Sequence, residues 1–224
     1  WMGKRNFFKY DGIVQELPCP VQYYVADRLQ TNFIEKTTVG HNKEFKEITW
    51  FYVSNDNPAG TTNPEPDSYV TFNYAENCWS VGTMDRTVWS DSFGAKVVPF
   101  AFDPDGYLYN QETGTSADGA AMNSYIEGAP REISQDGETL YMVDQVIPDV
   151  TMTSSTSLSL YMNTRKFPNA TEVTKGPFTI TSTTDKVSTR AKGRQIALKF
   201  QSTGTQDDWT LGDFRVNSRQ DGLR

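Results

Sequence analysis

The chain has 224 residues, 37% of them hydrophobic and 13% aromatic, and a formal charge of −7. That is long enough for one large domain or two ordinary ones with a real core, and the abundance of Tyr and Phe is β-sheet rather than coiled-coil chemistry. No apolar run approaches the roughly 18 residues that a membrane-spanning helix requires.

Trp1-Met2-Gly3 reads as the end of a strand whose beginning is absent, so the chain is expected to be a piece of a longer one or a processed product. Residues 6–17, NFFKYDGIVQEL, then place an aromatic strand, a turn at Asp11-Gly12 and a second strand in series. Gly accepts positive φ and Asp tolerates it, which suits the reversed turns of hairpins. Pro18 and Pro20 stop the second strand. Residues 21–31 are the one helix candidate, with Val21, Val25 and Leu29 four apart and Tyr24 on the same stripe. Residues 44–53 follow as a strand. Ile48, Trp50 and Tyr52 alternate with Thr49, Phe51 and Val53, so both faces are apolar and the strand is expected inside a sheet.

Residues 54–67, rich in Asn, Pro and Gly, form a loop. A second aromatic hairpin covers 68–82, and Arg86 to Trp89 begin a further strand. A third hairpin covers 99–114 and turns at Asp105-Gly106. Three hairpins of one design suggest β-propeller blades, although their starts at 6, 68 and 99 share no period. Trp50, Phe72, Trp79 and Tyr107 are expected to be buried between blades.

After the turn-rich stretch 112–120 the texture changes to longer strands of Leu, Ile and Val alternating with polar residues. These are expected at 122–127, 140–147, 156–163, 176–182, 186–190, 194–201 and 209–216. The fold class is therefore all-β: propeller-type blades with one short helix over 1–117, then antiparallel sheet or β-sandwich over 118–224.

Candidate chemistry is sparse. Asp103, Asp105 and Glu112 resemble part of a calcium loop, but a third ligand before Gly106 and the flanking helices are missing, so a plain hairpin turn is expected. His41, the only histidine, is read as a surface residue in a Gly-His-Asn turn. Cys19 and Cys78 are read as two buried free thiols, a disulfide having no sequence support. Many carboxylates are available for glycosidase chemistry, but nothing selects a pair. No nucleophile elbow, P-loop or dinucleotide fingerprint occurs. Asn169-Ala170-Thr171 matches a glycosylation acceptor. No catalytic, cofactor-binding or metal residue is assigned.

Charge is uneven. Residues 103–149 hold ten acids against the single base Arg131, and residues 165–224 hold eleven bases against six acids. Within the second stretch, Lys186, Arg190, Lys192, Arg194 and Lys199 occur without an intervening acid. If Gly193 marks a turn between two strands, these five gather at one hairpin end. Contact with another subunit, a solvated face and attraction to nucleic acid are the three readings.

The order of motifs is more specific than any one of them. FFKYDGIVQELPC, ITWFYVSN, DSYVTFNYAENCWSVG, RTVWSD, DGYLYNQETG, SYIEG, VIPDV, GRQIALKF and WTLGDFRVNSRQDGLR follow one another over nearly the whole chain. In this order they resemble the C-terminal portion of tailed-bacteriophage virion proteins of the packaged-DNA stabilisation or tail-nozzle (hub) type. The resemblance implies a β-propeller subunit assembled as a ring, expected to be a hexamer, below the portal and adaptor of a short-tailed phage. Such a ring continues the DNA channel, helps retain the packaged genome and meets other tail proteins. It implies a virion tail location, no enzymatic activity, no cofactor and no small-molecule substrate. The earlier blades of the family pattern are absent here. The alternative is a receptor- or carbohydrate-binding β-protein of a virion or cell surface, its Tyr and Trp side chains stacking on sugars.

Overall fold

The structure is a computed structural model that describes residues 1–57, 62, 64–134 and 138–222. Strand accounts for 48% of the chain and helix for 6%, so the fold is all-β, and every strand pair is antiparallel. The chain separates into two units, Trp1–Thr113 and Gly114–Arg224, whereas the texture of the sequence places the change at 117/118.

The first unit opens with the hairpin β1 (Phe7–Tyr10) and β2 (Val14–Leu17). Gly12 sits at φ 104, the left-handed region that Asp-Gly provides at low cost. Helix α1 (Gln22–Arg28) is shorter than its apolar stripe, and a 3-10 turn over Thr31–Lys36 follows. Val25 and Leu29 are buried, but Tyr24 is not on the buried stripe. Its ring carries the Arg28 guanidinium at 3.8 Å.

Four strands then form a meander, β3 (Thr38–Asn42), β4 (Glu47–Tyr52), β5 (Ser68–Asn73) and β6 (Cys78–Thr83). Strand β4 is interior, as its two apolar faces demand. Strand β3 escaped the sequence reading because Gly40, His41 and Asn42 look like a turn. Pairing of His41 with Ile48 makes them strand instead. Of the polar loop 54–67, residues 58–61 and 63 lie outside the described residues.

One face of this meander presents Trp50, Tyr52, Val70 and Phe72 to Phe7, Val25 and Leu29, forming one apolar core. The opposite face receives a second meander, β7 (Val88–Ser90), β8 (Phe100–Phe102) and β9 (Leu108–Asn110). Trp89 stacks on Phe51 with ring centroids 5.8 Å apart. Gly106 turns the β8–β9 hairpin at φ 88. Burial of Trp50 and Phe72 follows the sequence reading, and Trp79 is half-buried. Tyr107 does not follow it: it is 66% exposed, because it belongs to the turn and not to a strand face.

The second unit has two main sheets. Strands β10 (Ser124–Glu127), β11 (Arg131–Glu132), β14 (Leu158–Arg165), β15 (Val173–Ile180) and β17 (Gln195–Ser202) form one, in the order β10-β17-β14-β15 with β11 also on β17. Strands β12 (Tyr141–Ile147), β16 (Val187–Gly193) and β19 (Arg215–Gln220) form the other, in the order β16-β12-β19. Their facing side chains, Val143, Val146, Val187 and Ala191 against Leu158, Leu160, Met162, Ile180 and Phe200, make one buried cluster. A short pair, β13 (Val150–Met152) with β18 (Trp209–Leu211), packs beside it. The stretch read as one strand over 209–216 is thus two, because the chain leaves β13 after Leu211 and joins β12 from Arg215.

Candidate functional site

The five bases of the sequence reading do not gather at a hairpin end. Gly193 ends β16 in one sheet and Gln195 begins β17 in the other, so the chain crosses between layers there. Arg190 and Lys192 alternate with buried Ala191 and point away from the core. Lys186 is exposed just before β16. Arg194 lies in the crossing itself: its N–H donates to the Arg165 carbonyl and its own carbonyl accepts from Ile133. Its Nε is buried with no hydrogen-bond partner among the described residues. Lys199 belongs to the other sheet, 3.9 Å from Glu127 and 4.5 Å over the Tyr125 ring.

Register adds two bases that the sequence reading passed over. Met142 lies between Lys192 and Arg219, and Gln145 lies between Ser188 and Asn217. Arg215, Asn217 and Arg219 therefore share the outward face with Arg190 and Lys192. The alternation of R-V-N-S-R was the available signal. Asn217 donates to Gln145 Oε1 at 2.8 Å, and Lys192 Nζ lies 2.6 Å from Asp221 Oδ2, which ties the two edges of the sheet across β12.

The acidic and basic segments are interleaved. Acidic-segment strands β10 and β12 pair with basic-segment strands β17, β16 and β19. Asp103, Asp105 and Glu112 belong to the first unit, and Asp136 lies outside the described residues. Across the two segments, Glu127 faces Lys199 at 3.9 Å.

Two carboxylates meet in the first unit. Burial raises Glu47 above the usual carboxylate range. Burial, then the charge of Glu47, raises Glu112, which stands at φ 55 and accepts a 3.4 Å hydrogen bond from Asn42. Burial and the same two carboxylates raise Tyr69. Neither cleft described next is lined by Glu47 or Glu112.

One cleft, of about 260 Å³, is lined by Tyr24, Arg28, Ser54, Asp56, Asp67, Ser68, Thr83 and Asp85. Ser54 satisfies Asp67 through its N–H and hydroxyl, and Arg28 lies 3.7 Å from Asp56. Burial, then Asp67, pushes Asp85 up. Burial, reinforced by Tyr24, pushes buried Tyr52 up to about 12. A wider cleft of about 460 Å³ in the second unit is lined by Ser124, Tyr125, Ile126 and residues 207–211, with Trp209 Nε1 donating to Ser124 Oγ at 3.0 Å.

Asp103 Oδ1 accepts from the Tyr107 N–H at 2.8 Å, which closes a hairpin turn. No group of three or more His, Cys, Asp or Glu fit for a metal occurs among the described residues. His41 Nε2 is 3.3 Å from the Tyr74 hydroxyl, and its Nδ1 is 4.0 Å from Asp91. Cys19 is buried and free, but Cys78 is exposed, since it starts an edge strand with its neighbour Trp79 turned inward. Asn169 is exposed in the β14–β15 connection.

No protein-family model matches the chain, and no curated protein matches it.

Proposed function

We propose that the chain is a structural virion protein of a phage tail, working as a ring that continues the DNA channel and helps retain packaged DNA. The observation that carries the reading is the ordered series of motifs over nearly the whole sequence. The first unit supports its propeller element. A four-strand antiparallel meander, β3 to β6, is the unit from which propeller blades are built, and a second meander packs on it through Trp89 and Phe51. In this reading the fold supplies rigid surfaces rather than a catalytic centre. The partners are further copies, portal and adaptor, other tail proteins and the passing DNA.

The face of Arg190, Arg215 and Arg219, beside the Lys192–Asp221 pair, is the surface suited to phosphates or to an acidic neighbour. Contacts of this kind are independent of sequence and weaken with salt. The cleft beside Tyr125 and Trp209 favours the second reading, a carbohydrate-binding protein, because an exposed tyrosine and a half-buried tryptophan beside Asp207 and Asp208 suit sugar faces and hydroxyls.

Electron microscopy of the purified protein and of virions carrying a label on it tests both. A ring with a central channel, and label on the portal axis, is the expected result. A monomer or trimer that binds glycans, or label on the capsid wall, overturns the tail assignment.

A further inference from the structure

The first unit is a stack of sheets, and both ends of the stack are apolar. Its middle is the four-strand meander, covered on one face by the β1–β2 hairpin and α1 and on the other by the β7–β9 meander. On the far side of β7–β9, Val88, Phe102 and Leu108 lie opposite one another across the three strands. They are 56, 38 and 48% exposed, although alternate positions of a solvated sheet face are normally polar. Phe93 and Val97, in the β7–β8 connection, are exposed as well. At the other end, Phe8 and Tyr10 share the outward face of β1–β2 with Val14 and with the exposed Glu16, which lies opposite Phe8. Tyr10 and Val14 are 70 and 58% exposed, Ile13 at the tip is exposed, and Trp1 stacks on Phe8. Contiguous apolar surface of this kind marks interaction sites.

We infer that the Val88–Phe102–Leu108 face of one copy receives the outward face of the β1–β2 hairpin of a second copy. Two observations select this occupant. Each end offers apolar side chains at alternate positions of antiparallel strands, so the contact repeats the sheet-on-sheet packing that already joins the inner layers. The flanks also lean to opposite charge: Lys4, Arg5 and Lys9 against Asp11 and Glu16 are exposed at the hairpin, and Asp85 and Asp105 against Lys96 beside the third sheet. Lys9 faces its own Asp11 at 3.5 Å, so Lys4 and Arg5 against Glu16 leave the hairpin end net positive. Such charges set orientation and encounter rate more than affinity. Two different surfaces meet, so the contact is head to tail and propagates to a ring if the rotation closes. The inference rests on the ring reading only for the expectation that copies meet.

The test uses the whole chain with Cys78→Ser, which removes the exposed thiol and leaves buried Cys19. One preparation carries Tyr10→Cys and another Leu108→Cys. The two are mixed and treated with a flexible bismaleimide, so a crosslink between the two variants joins separate chains. A mixed dimer is expected, well above the yield of either variant alone. Val88→Asp, at an exposed position, is expected to weaken self-association in sedimentation velocity by about tenfold or more with unchanged melting. Leu108→Asp repeats that test. Absence of the mixed crosslink in folded protein, sedimentation as a monomer at every concentration, or association untouched by Val88→Asp overturns the inference. A mixed crosslink in protein that labels the capsid wall would remove the tail reading and keep this contact. A ring in which the mixed crosslink never forms would do the reverse.

Discussion

The indole of Trp89 lies directly on the backbone of Gly40. A Cβ at position 40 would stand 2.6 Å from the indole Cγ, and the ring nitrogen donates to the carbonyl of His41 at 3.1 Å. Gly40 is needed for this close approach and not for an unusual φ. With Phe51 beneath the same ring, this contact holds the two meanders of the first unit together.

Gly40→Val is expected to destabilise the protein by about 1–3 kcal/mol, the range for forcing extra atoms into a packed site. Adding Trp89→Ala should return part of that loss, since the clash partner is gone. Thermal unfolding of the two single variants and the double variant measures this coupling. Additive effects would contradict the contact.

Trp50 and Tyr107 are both aromatic hairpin residues, yet they should behave oppositely. Trp50 is buried against Phe7, with centroids 5.2 Å apart, so Trp50→Ala is expected to cost about 3–5 kcal/mol. Tyr107 is exposed at a turn, and Tyr107→Ala should change stability by no more than about 0.5 kcal/mol. Chemical denaturation of each variant decides.

Acid titration probes Glu47 and Glu112. Both are held above the usual carboxylate range, first by burial, so the folded state binds their protons more tightly than the unfolded chain. The stability they contribute is fully present below about pH 4.3, the unfolded glutamate value. It is lost as pH rises through the raised folded values. Asp85 acts in the same sense, whereas Asp91 acts in the opposite one. Burial works against the charge of Asp91, but the Ser92 N–H and the Lys43 ammonium outweigh that and hold its carboxyl low. The Glu47→Gln, Glu112→Gln double variant should therefore melt higher than the parent at pH 7, with the difference vanishing in acid. A difference that grows in acid would defeat the assignment.

Charge reversal separates two of the bases. Arg190→Glu alters an exposed outward position and should move stability by less than about 0.5 kcal/mol. Arg194→Glu places a carboxylate in the crossing between sheets, where the Arg194 Nε is already buried, and should cost about 1–3 kcal/mol. Melting temperatures of the two single variants show whether a combined reversal reports on assembly or on folding.

The sequence by itself determined the local grammar of this protein. Asp11-Gly12 and Asp105-Gly106 supply the positive φ that two hairpins need, and the two-sided apolar pattern of 48–53 makes β4 an interior strand. One apolar stripe gives one short helix. Each of these depends on neighbours a few residues apart, so a linear reading reaches them. The tertiary structure alone decided what lies across the sheets. Gly40, His41 and Asn42 look like a turn until long-range pairing with β4 makes them strand. Gly193 looks like a hairpin until its flanking strands enter different sheets, which sends Arg190 and Lys199 to different layers and draws Arg215 and Arg219 in beside Arg190. Glu47 and Glu112 influence each other only because the fold returns the chain to β4 after sixty-five residues. Strand registry across such separations is set by packing and hydrogen bonding over the whole sheet, and no short window of sequence contains it.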